Sequence, residues 1–306
     1  MLHITEAQVR ELLSPPEGMD RVIGLLDAAF RSWAAGTAAC APRQRVRAPG
    51  GSILQLMGAA DSQAGYIGYK AYTASRGGYF PYVMLFDAKS GQTLALIEAD
   101  YLGQMRTGAA SGLATKYMAR ADASILGVIG TGGQALTQIQ AIAAVRELAE
   151  VRVFGRNPER RQEFASKVSD ALHLTVRACE SAQEAVAGAS IVVTITTSSQ
   201  PVFFGEWIEP GMHINAAGGN AASRSELDAA AVTRADRIVV DSLEQCKIEA
   251  GELRAVDRWS EMLELSQVVA GKAAGRGSDG EVTLFKSNGI ALEDVALAGW
   301  LFEQTK

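Results

Sequence analysis

The chain has 306 residues, and its formal net charge at pH 7 is −5. Hydrophobic residues make up 48% of the sequence and charged residues 21%, a composition that excludes an intrinsically disordered chain. Acidic residues outnumber basic ones by 34 to 29, which argues against a nucleic-acid-binding surface because such a surface needs a basic face. The length predicts about two domains.

Several features that mark other classes of protein are missing from the sequence. The first residues, MLHITEAQVRELL, lack the apolar core of a secretion signal, and no apolar run reaches the ~18–20 residues of a membrane span. Cys40, Cys179 and Cys246 are far apart and form no CxxC pair, so neither a disulfide framework nor a zinc site is predicted. His213 is interpreted as a core histidine. We therefore expect a cytoplasmic protein whose chemistry uses no protein-bound metal.

The first 122 residues predict a mixture of helices and short strands. Thr5 and Gln8 have the spacing of a capping box, and apolar residues at helical intervals predict a helix over 19–35. Another helix is predicted over 100–122. Glycine and proline separate five strand-like runs, at 44–48, 52–57, 65–73, 80–87 and 93–98. This part of the chain is expected to form an α+β domain.

After residue 122, apolar runs alternate with helical patterns, including a predicted helix over 134–149. The runs are continuous and rich in β-branched residues, which is typical of a parallel sheet covered on both faces. A last amphipathic helix is predicted over 290–304. The predicted fold class is therefore α/β, a doubly wound domain together with the α+β domain. The predicted strands are 125–129, 151–154, 174–178, 190–196, 212–216 and 237–241.

A glycine-rich motif joins the first of these strands to the helix that follows it. In ILGVIGTGGQA, Gly130 permits a tight turn, Gly132 allows the backbone to approach a pyrophosphate, and Ala135 keeps helix and strand close. The N-terminus of the helix then faces the phosphates with its N–H groups. The motif predicts dinucleotide binding; the alternative is a tight strand–helix turn without a ligand.

The tip of the second strand bears on the choice of dinucleotide. NAD-binding proteins place an Asp or Glu there for the ribose 2′-hydroxyl, whereas this chain has Gly155, Arg156 and Asn157. Arg156 can pair with a 2′-phosphate, so NADP(H) is favoured and NAD(H) remains an alternative. Arg156 can also be interpreted as a surface charge that stacks on the adenine of either cofactor. A nicotinamide cofactor implies hydride transfer.

A series of separated motifs extends over nearly the whole chain. They are Arg45 before ILQLM, GYKAYT at 68–73, QMRTGAASGLATKYMA at 104–119, GTGGQA at 130–135, AAGGN at 216–220 with SELD at 225–228, and LFKSNGIALED at 284–294. In this order they resemble the ornithine cyclodeaminase/mu-crystallin family. That family includes ornithine and lysine cyclodeaminases, archaeal alanine dehydrogenase, and reductases of cyclic ketimines and other imino acids.

The resemblance implies a Rossmann dinucleotide-binding domain, residues 116–288, inserted in a substrate-binding and dimerisation domain formed by residues 1–115 and 289–306. It also implies a homodimer. Arg45, Lys70 and Arg106 match the family's substrate-carboxylate clamp, although without the resemblance Lys70 and Arg106 would be interpreted as surface charges. A carboxylate is well held by arginine and a lysine point charge. Lys70, with Tyr69 and Tyr72 nearby in sequence, is a hypothetical proton donor with a lowered pKa.

The remaining site positions also follow from matching the motifs. Residues 74–82 are expected at the mouth of the substrate pocket, with core or dimer packing as the alternative for their aromatic side chains. The expected cofactor-binding residues are Thr107, Gly130, Gly132, Gly133, Gln134, Arg156, Asn157, Thr196, Thr197, Ala216, Ala217, Ser287 and Asn288.

Asn220 is a departure from part of the family. Cyclodeaminases carry an Asp at the matching position, where its carboxylate would handle the substrate amine during ring closure. An amide neither ionises nor accepts a proton, so Asn220 is a catalytic-site residue that orients by hydrogen bonds, and ornithine cyclisation is disfavoured. Glu226 is interpreted as a first-turn helix charge and Asp228 as a surface residue.

The leading functional hypothesis is NAD(P)H-dependent reduction of the C=N bond of a small α-imino acid, such as pyrroline-2-carboxylate or piperideine-2-carboxylate. Lys70 and Asn220 are the expected catalytic positions. The alternatives are an ornithine cyclodeaminase, an amino-acid dehydrogenase, and a crystallin-like protein that binds NADPH and a small ligand without turnover.

Overall fold

The computed structural model describes residues 1–14, 17–75 and 78–306. Contacts divide the chain into two compact units: Met1–Arg106 with Gly289–Lys306, and Thr107–Asn288. The sequence places the first boundary after residue 115, whereas the contacts place it after Arg106, inside a helix. In the part of the chain that the structure describes, no helix is long and apolar enough to cross a membrane.

Before residue 100 most strands follow one another directly, whereas after residue 118 strands and helices mostly alternate. The strands are β1 (Leu2–Ile4), β2 (Ala38–Cys40), β3 (Gln44–Arg47), β4 (Ile53–Asp61), β5 (Tyr66–Ser75), β6 (Gly78–Asp87), β7 (Thr93–Glu98), β8 (Ile125–Ile129), β9 (Glu150–Phe154), β10 (Val176–Ala178), β11 (Ile191–Thr194), β12 (His213–Ala216), β13 (Arg237–Val240), β14 (Leu263–Glu264) and β15 (Thr283–Lys286). The helices are α1 (Glu6–Leu13), α2 (Gly18–Ala34), α3 (Asp100–Met118), α4 (Ala135–Ala143), α5 (Pro158–Leu172), α6 (Ala182–Val186), α7 (Ala229–Arg234), α8 (Leu243–Glu249), α9 (Gly251–Arg254), α10 (Leu265–Val269) and α11 (Ala291–Thr305).

The first unit is built on a sheet in the order β1-β7-β6-β5-β4-β2, in which β3 also pairs with β4. Strands β4 to β7 form an antiparallel meander, and β1 joins β7 in parallel. Helix α11 packs on β4, β5 and β6, with α2 beside it. The contact is close at Gly299, where a Cβ would lie 2.6 Å from the ring of Tyr66. Residues from the two ends of the chain thus share one core.

Strand β5 alternates between two environments because successive side chains point to opposite faces. Gly68, Lys70 and Tyr72 are buried, whereas Ile67 and Tyr69 on the other face are exposed. Tyr72 therefore shares the face of Lys70, and Tyr69 does not, although both tyrosines are close to Lys70 in sequence. The buried face positions the candidate site of this unit.

The second unit contains an entirely parallel sheet in the order β10-β9-β8-β11-β12-β15-β13-β14. Strands β9 and β10 extend from β8 in one direction and β11 and β12 in the other, so the order reverses at β8. In open parallel sheets a ligand binds at the carboxyl ends of the strands beside such a switch point. Apolar clusters cover both faces of the sheet, as its uninterrupted apolar strands predict.

The sequence predicts most of these elements and misses four strands, among them the two-residue β14. Strands β1 and β2 have three residues each, too short for an alternation to be recognised. Strand β15 lies between β12 and β13 but ends in Lys286, so its apolar run is short. The predicted helix 134–149 ends at Ala143, after which Arg146 donates hydrogen bonds to the carbonyl groups of Thr115 and Ala119 at the end of α3.

His213 is fully buried on β12, as the sequence predicts, and its Nδ1 lies 2.9 Å from Oγ1 of Thr283. Burial and then the neighbouring Arg276 guanidinium lower the pKa of His213 from its ordinary value near 6.5 to about 3. The imidazole is therefore neutral in the folded protein at pH values where it is protonated in the unfolded chain.

Because the pKa of His213 is lower in the folded protein than in the unfolded chain, the free energy of unfolding is predicted to decrease as the pH is lowered. Between about pH 6.5 and 3 the unfolded state binds one more proton at His213, so unfolding becomes easier by up to about 1.4 kcal/mol per pH unit. Denaturant unfolding of His213→Gln should show a shallower decline over this window than the parent protein. His3→Gln, at an exposed site, is the control. Parallel curves for the parent and His213→Gln would contradict the assignment.

Candidate functional site

The loop between β8 and α4 has the conformation that its glycine spacing predicts. Gly130 has a φ of +121°, and a Cβ there would lie 2.4 Å from the carbonyl oxygen of Ile195, so glycine is required. A Cβ at Gly132 or Gly133 would meet no atom of the described chain within 4 Å. Among the described residues, no side chain caps α4 at Gln134, which leaves N–H groups at the helix start for an anion. The loop therefore fits a pyrophosphate.

The end of β9 continues directly into the region expected to meet the adenosine ribose. Gly155 packs against the glycine loop, since a Cβ there would lie 2.3 Å from Oγ1 of Thr131. Asn157 caps α5, its side-chain oxygen accepting a hydrogen bond from the N–H of Arg160 at 2.8 Å. Arg156 is exposed. Of the two polar residues predicted here, Asn157 thus has a structural role and Arg156 lies at the surface.

The predicted cofactor residues after β11, β12 and β15 meet at the same edge of the sheet, because the strands are adjacent and parallel. They are Thr196 and Thr197, Ala216 and Ala217, and Ser287 and Asn288. Asn288 donates from its side chain to the carbonyl oxygen of Gly219 at 3.3 Å, and Asn220 follows in the same loop. Thr107 is buried in α3, where its carbonyl accepts a hydrogen bond from Gln138 at 3.1 Å.

Glu226 and Asp228 differ from their interpretations as a first-turn helix charge and a surface residue. Glu226 precedes α7, is completely buried, and accepts hydrogen bonds at the edge of the sheet. Asp228 is the half-buried cap of α7 and accepts from the N–H groups of Ala231 at 2.7 Å and Gly205 at 2.9 Å. The sequence pattern SELD does not distinguish a buried loop carboxylate from an exposed helix-start carboxylate, so the interpretation of Glu226 was wrong.

In the first unit, two predicted clamp residues come together on α11. The Nζ atom of Lys70 lies 2.9 Å from Oδ1 of Asp294. Arg106 pairs through one terminal nitrogen with Glu293 at 2.8 Å and through Nε with Asp294 at 3.2 Å. Lys70 and both carboxylates are at most 1% exposed, and Arg106 is 8% exposed.

A third buried cation in this cluster is Arg43 rather than Arg45. Arg43 donates to the carbonyl oxygen of Gly289 at 3.0 Å, and its charge acts on Lys70. Arg45 is half-buried on β3, two residues further along, opposite Gln55 on β4. The run PRQRVR presents three arginines at alternate positions, and spacing alone does not identify the buried one.

Charge and burial together determine the state of Lys70. Its burial lowers the pKa of the ammonium to about 8; Asp294 opposes this change, and the charges of Arg106 and Arg43 add to it. The cluster brings the cations of Arg43, Lys70 and Arg106 together with the carboxylates of Glu293 and Asp294. Buried cations of this kind are suited to binding a substrate carboxylate.

Part of the predicted pocket mouth, residues 74–82, is described by the structure, whereas Arg76 and Gly77 lie outside the described residues. Tyr79 is 46% exposed, and its ring meets that of Tyr72 edge-on at 5.1 Å between centroids. Burial and then Tyr72 raise the pKa of the Tyr79 hydroxyl above its ordinary value, and the charge of Arg106 opposes this change. The sequence could only group it with the other aromatic residues of this segment.

Comparison with known proteins identifies the family. The model of the ornithine cyclodeaminase/mu-crystallin family matches residues 6–306. The chain belongs to this family. Within the family, a Delta(1)-pyrroline-2-carboxylate reductase of Bacillus cereus is 40% identical over 228 residues, which are 72% of this chain and 70% of the relative. An alanine dehydrogenase of Archaeoglobus fulgidus is 34% identical, over 99% of this chain and 94% of its own.

A solved structure of another family member shows the same fold. The Delta(1)-pyrroline-2-carboxylate reductase of Thermococcus litoralis, in complex with NADH and L-proline, superimposes with a TM-score of 0.93 at 33% identity. The alignment covers 99% of this chain and 97% of that one. The predicted family and the predicted α/β fold class with its Rossmann domain are thereby confirmed.

The residues of this family member offer no evident metal site. Within residues 1–14, 17–75 and 78–306, no group of three or more His, Cys, Asp or Glu side chains is arranged to hold a metal ion. None of the three cysteines is part of a disulfide in the described chain, and Cys179 and Cys246 are buried.

The open space at Gly132 predicts how the glycine loop responds to a side chain. Gly132→Val should raise the dissociation constant for NADH or NADPH by more than about tenfold, or ~1.4 kcal/mol, because the new side chain occupies the expected place of the pyrophosphate. Its melting temperature should stay near that of the parent, since a Cβ there meets no described atom within 4 Å. Gly280→Val, at another open glycine, is the control. Unchanged cofactor fluorescence titrations for Gly132→Val would contradict the prediction.

Proposed function

We propose that this protein is an NAD(P)H-dependent reductase of the C=N bond of a small α-imino acid, a cyclic ketimine such as pyrroline-2-carboxylate or piperideine-2-carboxylate. The observation that carries the proposal is the buried cluster of Arg43, Lys70 and Arg106, which brings two guanidinium groups and an ammonium together, as the binding of a carboxylate requires. The glycine loop before α4 supports the cofactor. The relatives named as pyrroline-2-carboxylate reductases support the reaction.

The clamp would bind the carboxylate next to the reacting carbon. Arginine offers paired N–H donors that match a carboxylate, and the Lys70 ammonium adds a point charge. Glu293 and Asp294 hold Arg106 in place, and the Gly289 carbonyl holds Arg43. Arg43 is buried near Lys70 whereas Arg45 is only half-buried, so we propose Arg43 as a member of the clamp, with Arg45 at its edge.

The reaction adds one hydride to the carbon and one proton to the nitrogen of the C=N bond. The nicotinamide, when bound, supplies the hydride to the imine carbon. Lys70 would supply the proton to the imine nitrogen, either directly or through water, and its pKa of about 8 suits a donor near neutral pH. Asn220 would orient the substrate by hydrogen bonds, since an amide has no proton to exchange.

For the cofactor, we propose NADPH ahead of NADH. The end of β9 carries Gly155, Arg156 and Asn157, so no carboxylate there would repel a 2′-phosphate. Arg156 is exposed and free of the helix-capping role of Asn157. NADH remains a substrate in the test, because the Thermococcus litoralis relative is in complex with NADH.

We further propose that a second copy of this chain covers the exposed face of the first unit's sheet. That face exposes Ile67, Tyr69 and Tyr82, at 43%, 39% and 40%. A shallow apolar hollow on it is lined by small residues, among them Ala39, Gly58 and Ala60. Large exposed apolar surface of this kind is typical of an interface between subunits.

The decisive experiment is a spectrophotometric screen with NADPH and NADH in parallel. Oxidation of NADPH with a preformed cyclic imine, without ammonia, is the expected result. Ammonia-dependent oxidation with a keto acid would instead indicate an amino-acid dehydrogenase. Ammonia release from ornithine without net redox change would indicate a cyclodeaminase. Tight NADPH binding without turnover on any imino acid would indicate a ligand-binding protein, and each of these last three results would overturn the proposal.

Lys70 predicts the pH dependence of the imine reduction. The donor is protonated below its pKa, so kcat/KM should be highest below about pH 8 and fall about tenfold per pH unit above it. Lys70→Met should lower kcat/KM by roughly 10²–10³ and remove this limb of the profile. Lys167→Met, at an exposed position of α5, should match the parent protein. Full turnover by Lys70→Met would exclude the proton-donor role.

A further inference from the structure

A buried carboxylate fastens two strand-end loops of the second unit. Glu226 accepts hydrogen bonds through Oε1 from the N–H of Thr196 at 2.6 Å and from the Thr196 hydroxyl at 2.7 Å. Through Oε2 it accepts from the N–H of Gly218 at 2.7 Å and from the Thr194 hydroxyl at 3.0 Å. The carboxylate therefore joins the end of β11 to the loop that follows β12.

A buried lysine fastens the next residue of the same loop. The Nζ atom of Lys286, at the end of β15, donates to the carbonyl oxygen of Gly219 at 2.8 Å and pairs with Oε1 of Glu252 at 3.0 Å. Lys286 is completely buried and Glu252 is 2% exposed. Burial lowers the pKa of Lys286, but the charges of Glu252 and Glu226 outweigh this and raise it above the ordinary value. Lys286 is thus a permanent cation at this edge.

The loop that these residues hold has little freedom left. At Gly218 a Cβ would lie 2.3 Å from the carbonyl oxygen of Thr196, so the two loops approach as closely as glycine allows. Glu226 holds the N–H of Gly218 and Lys286 holds the carbonyl of Gly219, at consecutive residues. Asn220 comes next in the chain. Its backbone position therefore depends on both buried charges.

The position of this edge relative to β8 indicates which half of a dinucleotide it meets. The sheet order reverses at β8, and the two halves of a dinucleotide bind on opposite sides of such a switch point. The end of β9, on one side, has the features of the adenosine side. Strands β11, β12 and β15 lie on the other side, so the nicotinamide half of the dinucleotide is expected at their carboxyl ends.

We propose that Glu226 and Lys286 are positioning residues, which lock the loops at 196–197 and 216–220 into the geometry that binds the nicotinamide ring. This inference rests on the nicotinamide cofactor of the proposed function, but not on the imine substrate. A carboxylate is required at 226 because its four partners are all donors in the observed arrangement. A glutamine amide would place an NH₂ group against a donor, whichever way it is turned.

The test compares two ligands that differ at the nicotinamide end. NADH contains the ring and ADP-ribose lacks it; if the parent binds the phosphorylated pair more tightly, NADPH and 2′-phospho-ADP-ribose are used. For Glu226→Gln, calorimetric titration should show binding of the reduced cofactor weakened about tenfold or more, with ADP-ribose affinity within about twofold of the parent. Asp228→Asn, which alters the half-buried cap of α7 two residues away, should leave the ratio of the two affinities unchanged.

A second variant keeps the proposal testable if Glu226→Gln does not fold. Lys286→Met combined with Glu252→Gln removes the donor to Gly219 without leaving an unpaired carboxylate at 252, and it should show the same selective loss. Melting temperatures establish that each variant is folded. Equal losses for both ligands, or no loss for either, in the folded variants would overturn the positioning role. Because no imine is used, a negative screen for imine reduction leaves this result interpretable.

Discussion

Charge balance inside the first unit constrains everything around its buried lysine. Removing a charged side chain from water costs several kcal/mol, and deleting one partner of a buried ion pair costs about 3–5 kcal/mol. Lys70 and Arg106 meet this demand through Asp294 and Glu293, both at the start of α11. The C-terminal helix is therefore part of the site, because it carries the counter-ions.

Arg43 adds a third buried cation to this cluster. Its guanidinium donates to the carbonyl oxygen of Gly289, and its charge, with that of Arg106, helps to lower the pKa of Lys70. The proposed clamp would use these cations to bind a carboxylate, with Lys70 as the proposed proton donor. The second unit handles buried charge differently, since Glu226 is surrounded by backbone and hydroxyl donors that hold loops in place.

The sequence predicts well those features that depend on local chain geometry. The loop at Gly130 was predictable because a strand, a glycine spacing and a helix follow one another within a few residues. Arg43 was not, since the choice among three alternating arginines depends on how β3 pairs with β4. Glu226 was missed for a related reason: its partners, Thr194, Thr196 and Gly218, come together only when two strands become neighbours. Long-range pairing creates the buried charges, and a single sequence carries little direct signal of it.

The boundary between the two units has a consequence for folding. The chain leaves the first unit at Arg106 and returns at Gly289, and a Cβ at Gly289 would lie 2.4 Å from the Arg106 guanidinium. Bringing these residues together across an unstructured 107–288 would cost on the order of 4–5 kcal/mol of chain entropy. A folded insertion has already met that cost. Loss of structure in the inserted segment would therefore weaken the approach of Gly289 to Arg106 through chain entropy, even with every residue of the first unit unchanged.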